Sequence, residues 1–480
     1  MHPPDPSIVT DGSTFINPLG LAFTLLMGVL ILVLPRRYAM LPVLALTCYM
    51  TMGMRVMVGG LNFTMIRILL VFAWTRLVFR GELRRINLNA LDKTIIACQA
   101  SGMLAYTLLY GDFDALKWTV GIAYNALGIY FFFRFLLRDK EDVVSTLTLF
   151  AWLVIPLAGA MLFEQATGRN PFSLFGGVPE ATIVRDGRLR CEGPFAHPIL
   201  AGTFGATLMP LFVGLWQYLG KKRFFVVLAI AATAVITVTS ASSGPLLTLM
   251  MAALALCLWP LRTKMRQVRW GIVAVLVFLQ MTMKAPVWYL LGRIDIVNGS
   301  TGYHRALLID RAIANFWGWW LVGTKSTEAW SNSNDHLFDV TNAYILAGAN
   351  GGFLTMILFI AIIVLAFKSV GRTVRLSNGV QPEPDVRLYW AMGAAIFAHA
   401  ITFMSVSYFD QNFVNWSLIL ALVSGLCGDS LFMSRAEFLA KVAQPVPVGG
   451  EMPSLQPPRV VGRESAATRA ERPKFTLKTP

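Results

Sequence analysis

Residues 291–341 read LGRIDIVNGSTGYHRALLIDRAIANFWGWWLVGTKSTEAWSNSNDHLFDVT, and the contrast between this stretch and its flanks decides the fold. It is the longest polar interruption in a chain otherwise built of apolar runs, with one such run on either side, at 270–290 and 342–367. It carries His304 and His336, four basic residues (Arg293, Arg305, Arg311, Lys325) and five acidic ones (Asp295, Asp310, Glu328, Asp335, Asp339). Long ordered loops are where function concentrates, and one this charged and Trp-rich beside a bilayer asks for a reason.

The chain has 480 residues, 56% hydrophobic and 14% charged. A soluble domain carries about a quarter charged residues. Apolar runs of about 17–25 residues recur along the chain, so the expected fold is all-α, a polytopic helical membrane protein of about 12–13 transmembrane helices. Candidate spans fall at 18–35, 38–54, 61–79, 94–110, 115–137, 143–163, 198–219, 224–240, 244–260, 270–290, 342–367, 388–405 and 413–432. The weak alternation of an outer-membrane barrel is absent. No basic n-region and no small-residue cleavage site flank the first run, so no cleaved signal peptide is expected.

The net charge of +15 is not a nucleic-acid footprint, because its distribution follows the spans. With residues 1–17 external, 27 of the 41 Lys and Arg fall on the cytoplasmic side, 11 on the external side, and Arg67, Arg76 and Arg134 within spans. Basic clusters on one side are the mark of the cytoplasmic face. This order places the loops 164–198 and 291–341 outside, helices over 18–290 and 342–433, and a Pro-rich basic tail, 434–480, inside as a disordered segment. The five cysteines suggest neither a disulfide nor a zinc site.

Three features carry chemistry. The loop 164–198 ends Arg185-Asp186-Gly187-Arg188-Leu189-Arg190-Cys191-Glu192-Gly193-Pro194-Phe195-Ala196-His197-Pro198, with arginines whose forked donors suit phosphate oxygens. Residues 303–320 have apolar positions at helical spacing and a Trp cluster, predicting an amphipathic interfacial helix led by His304-Arg305, with Arg311 on its polar side. The loop closes with Asp335-His336-Leu337-Phe338-Asp339-Val340-Thr341-Asn342-Ala343-Tyr344, where acid, imidazole and amide groups meet at a helix entry; Asp339 or Thr341 is the expected cap. Arg67, an intramembrane charge about two turns inside its span, is a further candidate. Asp112-Phe113-Asp114 is read as a chance Asp-x-Asp, and no metal or other cofactor is expected.

The order of these parts resembles the superfamily of O-antigen ligases and Wzy-type O-antigen and exopolysaccharide polymerases. The resemblance runs over 185–367: Arg190-x-x-Gly193-x-Phe195-x-x-Pro198, the Ser-rich turn at 240–244, Arg305, Leu321-Val322-Gly323, Asn342-x-Tyr344, then Gly348 and Gly351-Gly352. It implies a GT-C-like glycosyltransferase of the bacterial inner membrane with its site on the periplasmic side. The implied donor is a glycan on undecaprenyl diphosphate, and the acceptor a lipid-linked glycan (polymerase) or lipid A core (ligase). Membrane lipids and other polysaccharide-assembly proteins are its implied partners. Arg190, Arg305, Arg188 and Arg311 would hold the diphosphate and Asp339, His336 and His304 supply the catalytic groups. Glu192, His197, Asn342, Tyr344 and Arg67 would support them. Two positions depart from the family pattern: Ser243-Gly244 stands where an arginine is common in the turn, and Thr341-Asn342 where His-Asn is common. Asp339 or His336 would then replace the usual base, which favours a divergent exopolysaccharide polymerase. A transporter of lipid-linked glycan and a non-catalytic assembly protein are the competing classes.

Overall fold

The computed structural model describes residues 16–58, 61–83, 86–293, 302–330, 340–409 and 411–443. The first part holds α1 (Pro18–Val33), α2 (Leu41–Tyr49), the hairpin β1 (Arg55–Val58) and β2 (Leu61–Thr64), α3 (Met65–Phe79), α4 (Ala90–Tyr110), α5 (Phe113–Leu136) and α6 (Lys140–Thr167). A second hairpin, β3 (Ile183–Arg185) and β4 (Arg188–Arg190), leads into α7 (Pro198–Gly214), α8 (Arg223–Thr239), α9 (Ser243–Cys257) and α10 (Met265–Thr282). Next come α11 (Gly302–Ala314), α12 (Phe316–Trp319), α13 (Ala343–Ser377), α14 (Glu383–Thr402), α15 (Asn412–Cys427) and α16 (Arg435–Ala443).

Among the described residues, four helical stretches are long and apolar enough to cross a membrane: α5, α6, α13 and Asn412–Leu431. A fifth is α9 together with Trp259–Thr282, bent by 73° at their junction, while α1, α7 and α8 are shorter apolar helices. The architecture is therefore all-α and membrane-type, but several expected spans are not single continuous helices. The expected span 38–54 contains only the 9 helical residues of α2, about 14 Å of the roughly 30 Å of a hydrocarbon core. Beyond it the backbone is non-helical and covered by protein. Met50, Thr51 and Met54 are buried, and Gln411 donates its side-chain amide to the Met50 carbonyl. Non-helical backbone is tolerated in an apolar protein only where partners of this kind satisfy it.

Small residues set the closest helix approaches. On α7, a Cβ at Gly205 would stand 2.6 Å from the Thr233 carbonyl oxygen of α8. One turn earlier, the Thr237 hydroxyl donates to the Gly202 carbonyl at 3.2 Å. Backbones that touch in this way replace side-chain interdigitation as the packing force. α13 is two helices joined at Gly352, whose φ of 74° and ψ of 176° no helix contains. The Gly352 region accepts a foreign segment: Phe353 donates its N–H to the Trp320 carbonyl and Thr324 donates to the Ala349 carbonyl, both at 2.7 Å.

The two ends of the bundle differ in their electrostatics. One end, where the loops predicted cytoplasmic meet, is laced by ion pairs. These are Arg36–Asp142 at 2.6 Å, Arg76–Glu82 at 2.8 Å, Arg134–Asp92 at 3.5 Å and Lys140–Asp385 at 2.8 Å. At the other end Gln411 donates to the Pro194 carbonyl, Tyr110 to the Lys325 carbonyl, and Asn17 to the Leu174 carbonyl. These contacts join loops that the charge alternation assigns to a common side.

Candidate functional site

The Asp186-Gly187 pair turns the β3–β4 hairpin, with φ of 51° and 72°, the positive values a two-residue hairpin loop demands. Arg188 and Arg190 stand two apart on β4 and so share a face; Arg188 is exposed and Arg190 half-buried. The strand then runs into a segment pinned on several sides. Cys191 donates its N–H to the Thr239 carbonyl at the end of α8. Glu192 and Gly193 donate theirs to the buried Glu164 carboxylate of α6, at 3.1 and 2.9 Å. Asn170 donates its side-chain amide to the Gly193 carbonyl at 2.7 Å. Glu192 is therefore itself buried, and its backbone rather than its carboxylate makes these contacts.

So held, Arg190 donates through a terminal nitrogen to the Ser242 hydroxyl at 2.7 Å. The Ser242 hydroxyl in turn donates to the Ser240 carbonyl at 3.0 Å. Arg305 reaches the same turn from α11: its Nη2 lies 4.0 Å from where a Cβ on Gly244 would stand, and Ser405 Oγ lies 3.5 Å from that point. The two polar loops predicted to be external thus meet over the turn 240–244. The Nε atoms of both Arg190 and Arg305 are buried without a hydrogen-bond acceptor. Among the described residues neither arginine makes an ion pair. Burial works against the charge of both and lowers their pKa, and for Arg190 the nearby Arg185 adds to the effect. A desolvated guanidinium with an idle donor is a site prepared for an anion.

His197 is the N-cap of α7: its Nδ1 accepts the Ile199 N–H at 3.0 Å. With that nitrogen an acceptor, the neutral ring carries its proton on Nε2 and is a donor there. Burial, then the charge of Arg190, pushes its pKa down to about 3. His304 is exposed in the first turn of α11, directly before Arg305. Arg311 lies six residues past Arg305 on the same helix, about 240° around it, and so does not share its face. Asp310 anchors α11 by accepting from the Trp288 indole at 2.7 Å and from the Tyr289 hydroxyl.

Other candidates have structural roles. Arg67 sits in the first turn of α3, because residues 61–64 are strand and not helix. It therefore lies near the helix end instead of two turns inside. It donates to the Asn62 carbonyl and to Asn125, and a Cβ at Gly121 would collide with it. Asn342, not Thr341, caps α13, its side-chain oxygen accepting the N–H groups of Tyr344 and Ile345 at 3.0 and 3.1 Å. Tyr344 donates its hydroxyl to the Ala400 carbonyl at 2.9 Å, tying α13 to α14. Asp112 caps α5 by accepting the Ala115 N–H at 2.6 Å. Asp339 and His336 lie outside the described residues.

Glu164, Asn170 and Gln411 are the positioning residues that sequence reasoning passed over, while Ser242 belongs to the Ser-rich turn named above. Glu164 had a signal, an acid at the end of an otherwise apolar run, and Gln411-Asn412 with Asn415 is a polar face entering another. The chain matches no known family model, no curated protein and no solved structure.

Proposed function

We propose that this chain is a membrane glycosyltransferase that moves glycan from undecaprenyl diphosphate at the outer face of the bacterial inner membrane, as a polymerase of polysaccharide repeat units. The observation that carries the reading is the meeting of Arg190 and Arg305 over the turn 240–244, each with a buried Nε lacking an acceptor. The resemblance implies an arginine within that turn. Gly244 stands there instead, and its missing side chain leaves the place that the Arg305 guanidinium approaches.

The chemistry follows from the charges. The acceptor hydroxyl oxygen attacks the anomeric carbon, the bond from that carbon to the diphosphate oxygen breaks, and the carrier diphosphate leaves with the electron pair. Arg190 and Arg305 stabilise the charge that develops on it, with the Nε2–H of His197 as a further donor. Positioning supplies much of the rest of the acceleration. The proton of the acceptor goes to His304, or to Asp339 or His336. Arg188, exposed on the hairpin, would meet the approaching donor, and Arg311 lies on a different face of α11 from Arg305.

A detergent- or nanodisc-purified chain given undecaprenyl-diphosphate-linked repeat units in the presence of EDTA should build longer glycans and release carrier diphosphate. The ladder should vanish with Arg305→Ala. No turnover with an authentic repeat unit, alone or with lipid A core, would sink the reading and favour transport or assembly. Product formed only with lipid A core would make the chain a ligase.

A further inference from the structure

We infer that the end of the bundle opposite the arginine-lined turn holds a site for the headgroup of an anionic phospholipid. α7 runs from one end to the other, with His197 beside the turn and Gly214 about 25 Å away. At that far end a cavity of about 120 Å³ opens between α7, α9 and α14. Trp216, Trp259, Trp390, Arg387, Gly214 and Leu256 are among the residues lining it.

Three guanidinium groups lie against indole faces around this cavity. Arg262 is 4.2 Å and Arg387 4.9 Å from the Trp259 ring centre, and Arg223 is 5.5 Å from Trp216. Arg262 also donates to the Trp259 carbonyl at 3.3 Å and to Asn378 at 3.4 Å, and stacking leaves the guanidinium charge in place. The surrounding carboxylates cancel one of the three charges and leave two. Glu383 pairs with Arg387 at 2.6 Å, and Asp385 is committed to Lys140 at 2.8 Å. The rim therefore keeps an excess of positive charge over an apolar floor. Tryptophans beside arginines are the pairing common at the headgroup level of a bilayer.

The floor continues into an apolar strip suited to an acyl chain. Leu256 and Val213 border the small cluster of Met209, Ala252 and Ala398, and Met250 and Leu254 are exposed on another face of α9. A phosphodiester on the rim with its chains along α9 satisfies both halves of the cavity, whereas free phosphate would use only the rim. The inference rests on the chain being a membrane protein and not on glycan transfer.

The test is native mass spectrometry of the delipidated full chain titrated with phosphatidylglycerol or with phosphatidylcholine of the same acyl chains. Wild-type protein should retain phosphatidylglycerol preferentially. The double variant R262Q/R387Q should lower that retention about 25-fold, at roughly one factor of five for each arginine, and leave phosphatidylcholine unchanged. E383Q, which removes the one carboxylate paired with Arg387, should raise it, and serves if the double variant folds poorly. Equal uptake of the two lipids by wild type, unchanged retention in the variants, or displacement of the lipid by millimolar inorganic phosphate would each overturn the inference.

Discussion

Glu164 accepts two consecutive backbone N–H groups from the segment after Arg190, together with the Thr182 hydroxyl at 3.2 Å. Hydrogen bonds to a charged group contribute about 1.5–3 kcal/mol each, so this one carboxylate fixes the direction from which Arg190 approaches Ser242. Cys191 gives a direct readout, because its thiol is buried and donates to Gln165 at 3.2 Å. Glu164→Ala should expose Cys191 to a membrane-impermeant maleimide that wild type excludes; equal labelling of the two proteins would refute the role. His197 adds a pH dependence. Its folded pKa of about 3 lies below the ordinary value of 6.5, so the folded state binds fewer protons. The stability it contributes is complete above about pH 6.5 and is lost as pH falls towards 3, by at most about 1.4 kcal/mol per unit. Melting curves between pH 7 and pH 5 should steepen in wild type relative to His197→Asn, whose amide oxygen keeps the cap. Parallel curves would remove His197 from the account.

At the scale of elements, the break in α13 is the feature most sensitive to a single methyl group. A Cβ on Gly352 would lie 2.3 Å from the Leu321 carbonyl oxygen, on a residue whose φ of 74° already excludes ordinary side chains. Steric conflict adds to a backbone penalty of about 1–3 kcal/mol, so Gly352→Ala should lower the melting temperature sharply. Gly371, in the same helix with open space around it, is the control, where alanine should be neutral or stabilising. Similar melting of both variants would mean that the break is not held by the 320–324 segment. The sequence made α11 legible through its apolar spacing and the Trp cluster, and its charge pattern grouped loops that meet at a common end of the bundle. It also displayed the β3–β4 hairpin in Asp186-Gly187, a two-residue turn signal. It did not display α2 as half a helix, because a buried non-helical segment is as apolar as a helix and its partner Gln411 is 361 residues away. The approach of Arg305 to Gly244 was equally hidden, since tertiary packing and not spacing brings α11 over the turn.

Across the whole molecule, arginines divide by what they face, and the division predicts opposite responses to the same substitution. Arg76 donates twice to Glu82, both at 2.8 Å, with its side chain wholly buried. Removing it strands a carboxylate in the protein interior, a loss of about 3–5 kcal/mol. Arg305 and Arg190 are also desolvated, yet among the described residues no ion pair neutralises them. Their removal relieves a buried charge instead of creating one, so the fold should be unharmed or slightly stabilised. Function should run the other way. On the proposed function, removing Arg305 would take a principal electrostatic stabiliser from the departing diphosphate, an effect on the order of 100–1,000-fold in rate when a single such donor is deleted. Arg305→Lys restores charge without the planar fork, and should recover part of the rate. Arg76→Ala should therefore lower melting temperature and protein yield together, while Arg305→Ala should melt at or above wild type and accumulate lipid-linked precursor on the external side. An Arg305→Ala protein that melts far below wild type would place this arginine with the structural set and leave the turn 240–244 without its proposed task. Precursor accumulating on the cytoplasmic side would instead assign the site to a flippase.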